Sequence, residues 1–408
     1  MARFERKQNI FANKDALGES YQPDRIEERD EEIAEYMDAL QPVIDGWEPN
    51  NVFLYGNTGV GKTAVTDYLL DQLQSDVEAY DDVDLTVVDL NCKPLTSSYQ
   101  VAVGLVNELR PHGGEISSTG YPQQAVFEKL FQELDKIGGT ILIVLDEIDA
   151  IGQQDDLLYE LPRARANGKL EDTKVGVIGI SNDFKFRDHL DPRVQDTLCE
   201  REIQFPPYDA VELESILESR VEISIVDNKI EDGVLKLCAA LAARDTGSAR
   251  QALDLLQLAG EAAENTDADG IKLTHVEAAQ EKLEQERVEE GMRDLTHHGE
   301  LTLLAVLSKM AKEETPCRTK IVYQEYTSLC QSASIDPLSQ RSVHNHLSDL
   351  RMLGILSSNE NRSGSPGNYY SYELDVPFPS AIEAMSDVST LDKEIQTIRE
   401  IASMNKVL

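Results

Sequence analysis

The sequence predicts an α/β protein in three parts: a parallel-sheet core with a phosphate-binding loop at residues 1–207, an all-helical lid at 208–295, and a winged helix at 296–408. Three observations support this prediction. In the first part, apolar runs alternate with helical patterns, which is typical of a parallel sheet covered on both faces. The second part shows only helical patterns. The third part has three helices followed by a two-stranded hairpin, which are the elements of a winged helix.

The strands of the core are short runs that are apolar on both faces. They are predicted at residues 52–55, 85–90, 140–145 and 174–180, and the last of them closes this section. Helices are predicted around them, at residues 24–46, 64–73, 101–109 and 125–136. Because strands and helices alternate, neighbouring strands should be parallel and joined by helical crossovers.

The winged helix is predicted from a change of pattern after residue 296. The segment from residue 210 to 295 is helical and ends in a charged stretch. Beyond it, helices are predicted at residues 301–312, 320–331 and 339–352, and the hairpin strands at 354–357 and 369–374. A turn rich in Gly and Ser joins the two strands.

A complete phosphate-binding loop follows the first strand. Its residues are Gly56, Asn57, Thr58, Gly59, Val60, Gly61, Lys62 and Thr63, and the helix continues with Ala64. The glycines let backbone N–H groups turn toward phosphate oxygens, the lysine supplies a positive charge, and the threonine hydroxyl can hold Mg²⁺. The following helix points its positive end at the same anion. An ordinary glycine-rich turn is the weaker alternative, so we predict that these nine residues bind a nucleotide.

Polar side chains follow two of the apolar strands. Asp146 and Glu147 come directly after the strand at 140–145, and Asn182 follows the strand at 174–180. Ligands of parallel sheets bind at this end of the strands. We predict that Asp146 holds Mg²⁺, that Glu147 polarises an attacking water, and that Asn182 positions this water. Ordinary acidic or polar turns are the alternatives.

Three arginines are candidates for contacts with the phosphates. Arg193 and Arg201 are each suited to reach a nucleotide held by a neighbouring subunit, as arginine fingers do. A surface salt bridge is the alternative for each of them. Arg250 opens a helix of the lid and is expected to fold back onto the bound phosphates.

The composition is strongly acidic, with 38 Lys+Arg, 75 Asp+Glu and a net charge of -37. Such a surface repels nucleic acid at ordinary salt. Either the protein has no polyanionic partner or concentrated salt screens the repulsion, since the Debye length is only about 3 Å at 1 M salt. We favour adaptation to salt. No signal-type core or apolar run of about 18 residues is present, so we expect a cytoplasmic protein without a membrane partner.

Together, these motifs resemble those of an AAA+ ATPase. The order is Walker A at the phosphate loop, Walker B at Asp146-Glu147, sensor 1 at Ser181-Asn182, the arginine finger at Arg193 and sensor 2 at Gly247-Ser-Ala-Arg250. More narrowly, Tyr21-Gln-Pro-Asp, Leu190-Asp-Pro-Arg-Val and Phe205-Pro-Pro-Tyr resemble segments of the archaeal origin recognition initiators. These are relatives of the eukaryotic origin recognition complex and its helicase-loading partner. The similarity covers residues 10–375, with Ser248 in place of the family's usual Asp.

The resemblance implies a function and further site residues. It implies a replication initiator of a halophilic archaeon that binds double-stranded origin DNA and recruits or loads the replicative helicase, the minichromosome maintenance complex. Such initiators are nucleoid-associated, meet other initiator copies on DNA, and hold ATP or ADP with Mg²⁺ as a switch with weak ATPase activity. By the same resemblance, Tyr21 and Arg29 border the adenine, Tyr208 and Arg220 belong to the nucleotide site, and Arg110 ends an insertion that contacts DNA.

The predicted winged helix carries less negative charge than the rest of the chain. Residues 297–408 hold 10 Lys+Arg and 14 Asp+Glu. On the predicted helix 339–352, an apolar stripe leaves a polar face that is suited to a major groove. The predicted DNA contacts on this face are Arg341, His344, Asn345, Ser348 and Arg351, and Arg362 is predicted to follow a minor groove from the wing. A solvated helix face is the alternative.

Two other functions would use the same parts. A nucleotide-gated transcription regulator would bind promoters and load no helicase. A branch-migration motor would also join an AAA+ core to a winged helix, but would form a stable hexamer with rapid turnover.

Overall fold

The structure, a computed structural model, describes residues 10–18, 21–111, 113–151, 156–293, 295–361, 369–388 and 391–405. The chain divides into two compact units, Met1–Ala279 and Gln280–Leu408. The three-part boundaries at residues 207 and 295 stay predictions.

The first unit is built on a five-stranded parallel sheet. Its strands are β1 (Val52–Gly56), β2 (Leu85–Asn91), β3 (Thr140–Asp146), β4 (Lys174–Ser181) and β5 (Arg201–Phe205). Their spatial order is β2-β3-β4-β1-β5. The predicted α/β class with a parallel-sheet core is confirmed, and the phosphate loop leaves the sheet from β1, between β4 and β5.

The prediction that the strand at 174–180 closes this section is wrong. A fifth strand, β5, pairs with β1 from Arg201 to Phe205. On this strand Ile203 and Phe205 are buried, whereas Gln204 is exposed. An edge strand of this kind has one polar face and therefore lacks the continuous apolar run that marks a strand covered on both faces.

Eleven helices are assigned from the described residues up to the division of the chain, and the last of them crosses it. They are α1 (Asp30–Ile44), α2 (Lys62–Val77), α3 (Ser98–Leu109), α4 (Gln123–Ile137), α5 (Asp156–Glu160), α6 (Phe186–His189), α7 (Pro192–Leu198), α8 (Ala210–Ser224), α9 (Val234–Asp245), α10 (Ala249–Asn265) and α11 (Leu273–Arg293). Short 3-10 helices cover Lys14–Leu17 and Ile148–Ile151. Across the described parts of both units, none of the helices combines the length and the apolar composition that crossing a membrane requires.

The first helix begins later than predicted, at Asp30 instead of residue 24. Glu28 has a φ of 59°, which a continuous α-helix does not accommodate. The start at Asp30 brings three carboxylates into the first turn, where they stabilise the positive end of the helix dipole.

The second unit contains a winged helix with a third strand. Its further elements are α12 (His297–Ala311), β6 (Cys317–Arg318), α13 (Thr319–Ser332), α14 (Gln340–Met352), β7 (Leu356–Asn361), β8 (Tyr369–Leu374), α15 (Phe378–Val388) and α16 (Asp392–Asn405). The strand order is β6-β8-β7. The winged helix is confirmed, but β6, α15 and α16 were not predicted. A two-residue strand such as β6 is too short to show an alternating pattern. The apolar side chains of α15 and α16, such as Met385 and Ile398, are buried in the same core as the winged helix.

A half-buried ion cluster joins α12 to α13. Glu325 accepts hydrogen bonds from the Ser308 hydroxyl at 2.6 Å and from Lys312 Nζ at 2.7 Å, and Lys309 Nζ lies 3.1 Å away. Burial raises the pKa of Glu325, but hydrogen bonds from Lys312, Ser308 and Lys309 outweigh burial and lower the pKa to about 2. The carboxylate therefore stays ionised in the folded protein.

Glu325→Gln is expected to destabilise the second unit by about 2 kcal/mol, because Lys312 then loses its carboxylate partner and Lys309 keeps its pairing with Glu314 but loses Glu325. The difference in the free energy of unfolding between this variant and the wild type should become smaller as the pH falls from about 4.5 toward about 2. The pKa of Glu325 is lower in the folded protein than in the unfolded chain. The ionised carboxylate therefore adds to the free energy of unfolding above the unfolded pKa, and this contribution is lost when the group is protonated. Urea denaturation over this pH range measures the difference, with the exposed Glu383→Gln as control. A difference that does not narrow on acidification contradicts this account.

Candidate functional site: a nucleotide site and a nucleic-acid interface

The phosphate loop connects the end of β1 to the start of α2. Gly59 and Gly61 have φ angles of 77° and 93°, in the region that favours glycine. Gly61 is the N-cap of α2, so the free N–H groups of the first turn point out of the helix at the loop. The backbone is thus shaped as the motif predicts, with a helix N-terminus directed at the loop's interior.

Lys62 is buried inside this loop, with 4% of its surface exposed. Its Nζ donates to the carbonyls of Gly56 at 2.9 Å and Asn57 at 2.7 Å, and to Asn182 Oδ1 at 2.9 Å. Burial lowers the pKa of Lys62 to about 8, although Asp146 and Asp149 act in the opposite direction. The contacts bring the loop, which follows β1, together with the residue that follows β4.

The carboxylates after β3 lie beside the loop. Asp146 Oδ2 accepts a hydrogen bond from the Thr63 hydroxyl at 2.9 Å, and its Oδ1 accepts from the Glu147 backbone at 2.8 Å. Glu147 has a φ of 53°, and its Oε1 lies 4.0 Å from Lys93 Nζ. The residues predicted to hold Mg²⁺ are therefore in direct contact with each other.

Asp149 belongs to this site and was not assigned a role from the sequence. Its Oδ1 accepts a hydrogen bond from the Asn182 backbone at 3.0 Å. Asn182 is thus held between Asp149 and Lys62. The available signal was a third carboxylate, one 3-10 turn beyond the strand that carries Asp146.

Lid residues contact the loop directly. The Ala249 backbone donates to the Gly59 carbonyl at 2.9 Å. A Cβ added to Gly59 would lie 3.1 Å from Arg250 Cβ, so Arg250 begins beside the loop. Ser248, which replaces the family's usual Asp, still caps α10 by accepting a hydrogen bond from Gln251. The start of α10 is therefore fixed at the loop.

The remaining predicted nucleotide residues form two pairs. Tyr21 and Arg220 lie together, with the guanidinium carbon 4.6 Å from the ring centroid. Burial lowers the pKa of Arg220, and its Nη1 is buried without a hydrogen-bond partner in the described part of the chain. Arg29 and Tyr208 are buried against the loop, with 2% and 5% of their surfaces exposed. A cavity of about 470 Å³ lies beside this second pair, lined by Asn57, Pro207, Tyr208, Asp209, Ala210, Ala243, Asp245, Thr246 and Gly247.

The two candidate arginine fingers lie on the surface of the first unit. Arg193 is 71% exposed, its Nε is 3.0 Å from Asp191 Oδ1, and its guanidinium carbon is 5.3 Å from the ring centroid of Tyr159. Arg201 is also exposed and lies 4.0 Å from Asp38. Arg193 thus projects from the start of α7, and Arg201 from the edge strand β5.

Arg110, predicted to contact DNA, is engaged within the first unit. Its Nη2 is 2.6 Å from Glu133 Oε1, and its Nη1 donates to the Gly114 carbonyl at 3.1 Å. Hydrogen bonds from Lys136 and Arg110 lower the pKa of Glu133. In this arrangement Arg110 fastens the turn that follows α3, and a DNA contact stays a prediction.

The polar face of α14 is the candidate nucleic-acid interface. Val343, Leu347 and Leu350 are buried as predicted. On the rest of the helix Arg341, Asn345 and Arg351 are exposed, whereas His344 and Ser348 are half-buried. His344 Nδ1 is 3.3 Å from the Tyr372 hydroxyl, and Arg351 Nη1 donates to Ser358 at 3.4 Å. Arg362 lies outside the described residues.

Three families match the chain. Residues 48–186 match an AAA domain, residues 214–281 match the Cdc6 AAA+ ATPase-type lid domain, and residues 290–384 match the CDC6 C-terminal winged helix domain.

Individual relatives match the chain over nearly its whole length. It is 77% identical over 407 residues to ORC1-type DNA replication protein 15 of Haloarcula marismortui, covering 100% of both. It is 74% identical over 410 residues to ORC1-type DNA replication protein 10 of Halobacterium salinarum, covering 100% of this chain and 99% of the relative. Among solved structures, the Aeropyrum pernix ORC1 protein in complex with DNA aligns with a TM-score of 0.80 at 34% identity, over 93% of this chain and 98% of that one.

Proposed function

Because this chain belongs to the family of ORC1-type DNA replication proteins, AAA+ initiators with a Cdc6-type lid and winged helix, we propose that it binds origin DNA and recruits the replicative helicase under the control of bound ATP or ADP. The observation that carries the nucleotide part is the convergence of Lys62, Asp146 and Asn182 at the carboxyl ends of β1, β3 and β4. Parallel sheets bind their ligands at this edge.

The residues of the site fit a nucleotide with Mg²⁺. Thr63 and Asp146 offer a hydroxyl and a carboxylate oxygen 2.9 Å apart, which are oxygen donors of the kind that Mg²⁺ prefers. Bound there, the ion would neutralise charge on the phosphates. Lys62 would exchange its two carbonyl partners for phosphate oxygens, and the N–H groups of the loop and of α2 would hold the rest of the polyphosphate.

Weak hydrolysis is proposed because both candidate finger arginines are exposed on the first unit, where they are suited to a nucleotide held by another copy. A finger from a second initiator copy, Arg193 or Arg201, would add transition-state charge stabilisation when copies meet on DNA. Hydrolysis would then depend on assembly and not run freely.

The switch would act through the lid. The Ala249 N–H donates to the loop, and Arg250 lies beside the loop. A change from ATP to ADP would therefore alter the contacts made by the start of α10. A ligand moves such an equilibrium only by its difference in affinity between the two states. ATP and ADP differ in the γ-phosphate, to which Arg250 is proposed to bind.

DNA binding is proposed for the exposed face of α14. The Aeropyrum pernix ORC1 protein was solved in complex with DNA, and this supports the same role here. Arg341→Ala is expected to weaken origin binding in concentrated potassium chloride about tenfold, as is usual for one lost arginine contact. Footprinting measures this, with the exposed Lys393→Ala of α16 as control. If Arg341→Ala protects origin DNA as well as the wild type does, α14 is not part of the DNA interface.

A transcription regulator remains the second candidate, since it would use the same nucleotide site and the same DNA-binding helix. Membership in the initiator family favours replication over both this role and branch migration. Mapping the protein on the chromosome separates the candidates: clusters at replication start sites support initiation, and dispersed promoters support regulation. Capture of the minichromosome maintenance helicase at the same start sites tests the recruitment step.

A further inference from the structure

Arg29 connects the phosphate loop to the segment that leads into the lid. Its Nε and Nη2 donate to the Val60 carbonyl at 3.2 and 3.0 Å. Nη2 also donates to the Pro206 carbonyl at 2.7 Å, and Nη1 donates to Glu32 at 2.9 Å. One guanidinium thus holds two backbone carbonyls that lie 146 positions apart in the sequence and belong to the loop and to the junction before α8.

The guanidinium is also fixed by stacking. Its central carbon lies 3.7 Å from the ring centroid of Tyr208, and both residues are buried. A Cβ added to Gly61 would lie 2.9 Å from the Tyr208 hydroxyl, so the phenol reaches the loop as well. A buried guanidinium is tolerated when it is paired and hydrogen-bonded, and its planar fork suits two acceptors and an aromatic face at once.

The same junction is bonded to the lid. The Tyr208 backbone donates to the Gly247 carbonyl at 2.9 Å, directly before α10. Gly247 has a φ of 64°, and a Cβ there would lie 2.8 Å from the Tyr208 carbonyl. Two residues later, Ala249 donates to Gly59. Loop, junction and lid therefore form a closed chain of contacts, and Arg29 holds the link between loop and junction.

A direct contact between Arg29 and the nucleotide does not fit this geometry. All three of its nitrogens donate to protein acceptors, and the side chain is 2% exposed. A group in this position acts on the site through the Val60 carbonyl and not by touching the ligand.

We propose that Arg29 is a positioning residue that ties the phosphate loop to the core–lid junction and thereby transmits the state of the loop to α10. The proposal rests on the nucleotide switch described above and adds a second connection, besides Arg250, between the loop and the lid.

Hydrogen exchange of the full-length protein in concentrated potassium chloride, with and without Mg-ADP, tests the proposal. In the wild type, ADP should slow exchange in residues 246–252 about tenfold, because phosphates bound in the loop fix the Gly59 carbonyl that accepts from the Ala249 amide. Arg29→Lys keeps the charge but loses the fork and most of the stack, so this protection should fall to about twofold or less, with ADP affinity changed less than about threefold. Arg25→Lys, at a side chain that is 78% exposed, is the matched control and should behave like wild type.

Tyr208→Leu is a second variant, in which protection of residues 246–252 by saturating ADP should also fall, because it removes the aromatic face beneath the guanidinium. If Arg29 had a purely structural role, the variant would change the exchange rates equally with and without ADP. The proposal instead predicts a change in the ratio of the exchange rate without ADP to the rate with ADP. Full protection by ADP in both variants overturns the proposal and leaves the nucleotide switch intact. A loss of ADP affinity above about thirtyfold in Arg29→Lys overturns it in favour of direct contact, on the affinity scale of a charged hydrogen bond. Failure of the wild type to bind ADP would contradict the proposed function, and the proposal with it.

Discussion

Lys62→Ala is expected to reduce the affinity for Mg-ADP and Mg-ATP by roughly 100- to 1,000-fold. The ammonium is buried within the loop, where it donates to the Gly56 and Asn57 carbonyls. In the complex these bonds pass to phosphate oxygens, and hydrogen bonds between charged groups contribute about 1.5–3 kcal/mol each. Two such bonds at the lower end of this range, about 3–4 kcal/mol together, correspond to the expected loss. Equilibrium dialysis in concentrated potassium chloride measures it directly.

The control for this variant is Lys229→Ala, which removes a lysine of the lid that pairs with Asp269 at 2.6 Å. It should bind nucleotide like wild type. A Lys62→Ala protein that is folded and binds within about fivefold of wild type would show that the loop is not the phosphate site, because a lost charge–charge hydrogen bond exceeds that margin.

Glu147→Gln is expected to lower the ATP hydrolysis rate about 100-fold or more and to leave nucleotide affinity nearly unchanged. A positioned general base contributes roughly 100- to 10,000-fold, and glutamine keeps the shape but cannot accept the proton. Affinity is spared because Asp146 and Lys62, and not Glu147, make the contacts with the loop and with Thr63. Single-turnover release of phosphate measures the chemical step.

The matched control is Glu31→Gln, at an exposed position in the first turn of α1. Its hydrolysis should equal that of wild type. If Glu147→Gln hydrolyses ATP at the wild-type rate, the attacking water is activated by another group, and the assignment of Walker B chemistry to Glu147 is wrong.

The sequence predicted the contiguous parts of this protein well. The phosphate loop and the pair Asp146-Glu147 carry their chemistry in adjacent residues that follow strands, so strand prediction alone brings them to one edge of the sheet. The edge strand β5 was not predicted because only Ile203 and Phe205 are buried on it, and β6 was not predicted because it has only two residues. Short or half-polar strands have too little pattern to be recognised.

Contacts between distant segments were beyond the sequence. The resemblance brought Arg29 to the nucleotide site, but its bonds to Val60 and Pro206 span 31 and 177 positions. The fixing of Asn182 by Asp149 and Lys62 likewise depends on how β1, β3 and β4 are ordered. Such contacts depend on topology and not on local pattern.

The acidic composition of the chain is consistent with the salt-rich habitats of the organisms that its relatives come from. Two relatives with more than 70% identity come from the halophilic archaea Haloarcula marismortui and Halobacterium salinarum. A net charge of -37 would oppose DNA binding at low salt, whereas concentrated salt screens repulsion beyond a few ångströms. Assays of this protein should therefore use concentrated potassium chloride.

The central claim is that the nucleotide bound at Lys62 and Asp146 controls the affinity of the winged helix for DNA. The most direct test is the affinity of the full-length wild type for an origin duplex in concentrated potassium chloride, measured with Mg-ATP, with Mg-ADP and without nucleotide. We expect the ATP and ADP forms to differ by at least about fivefold, the lower end of typical coupling between two sites, and Lys62→Ala to show no such difference. Equal affinity of the wild type in all three conditions would contradict the claim.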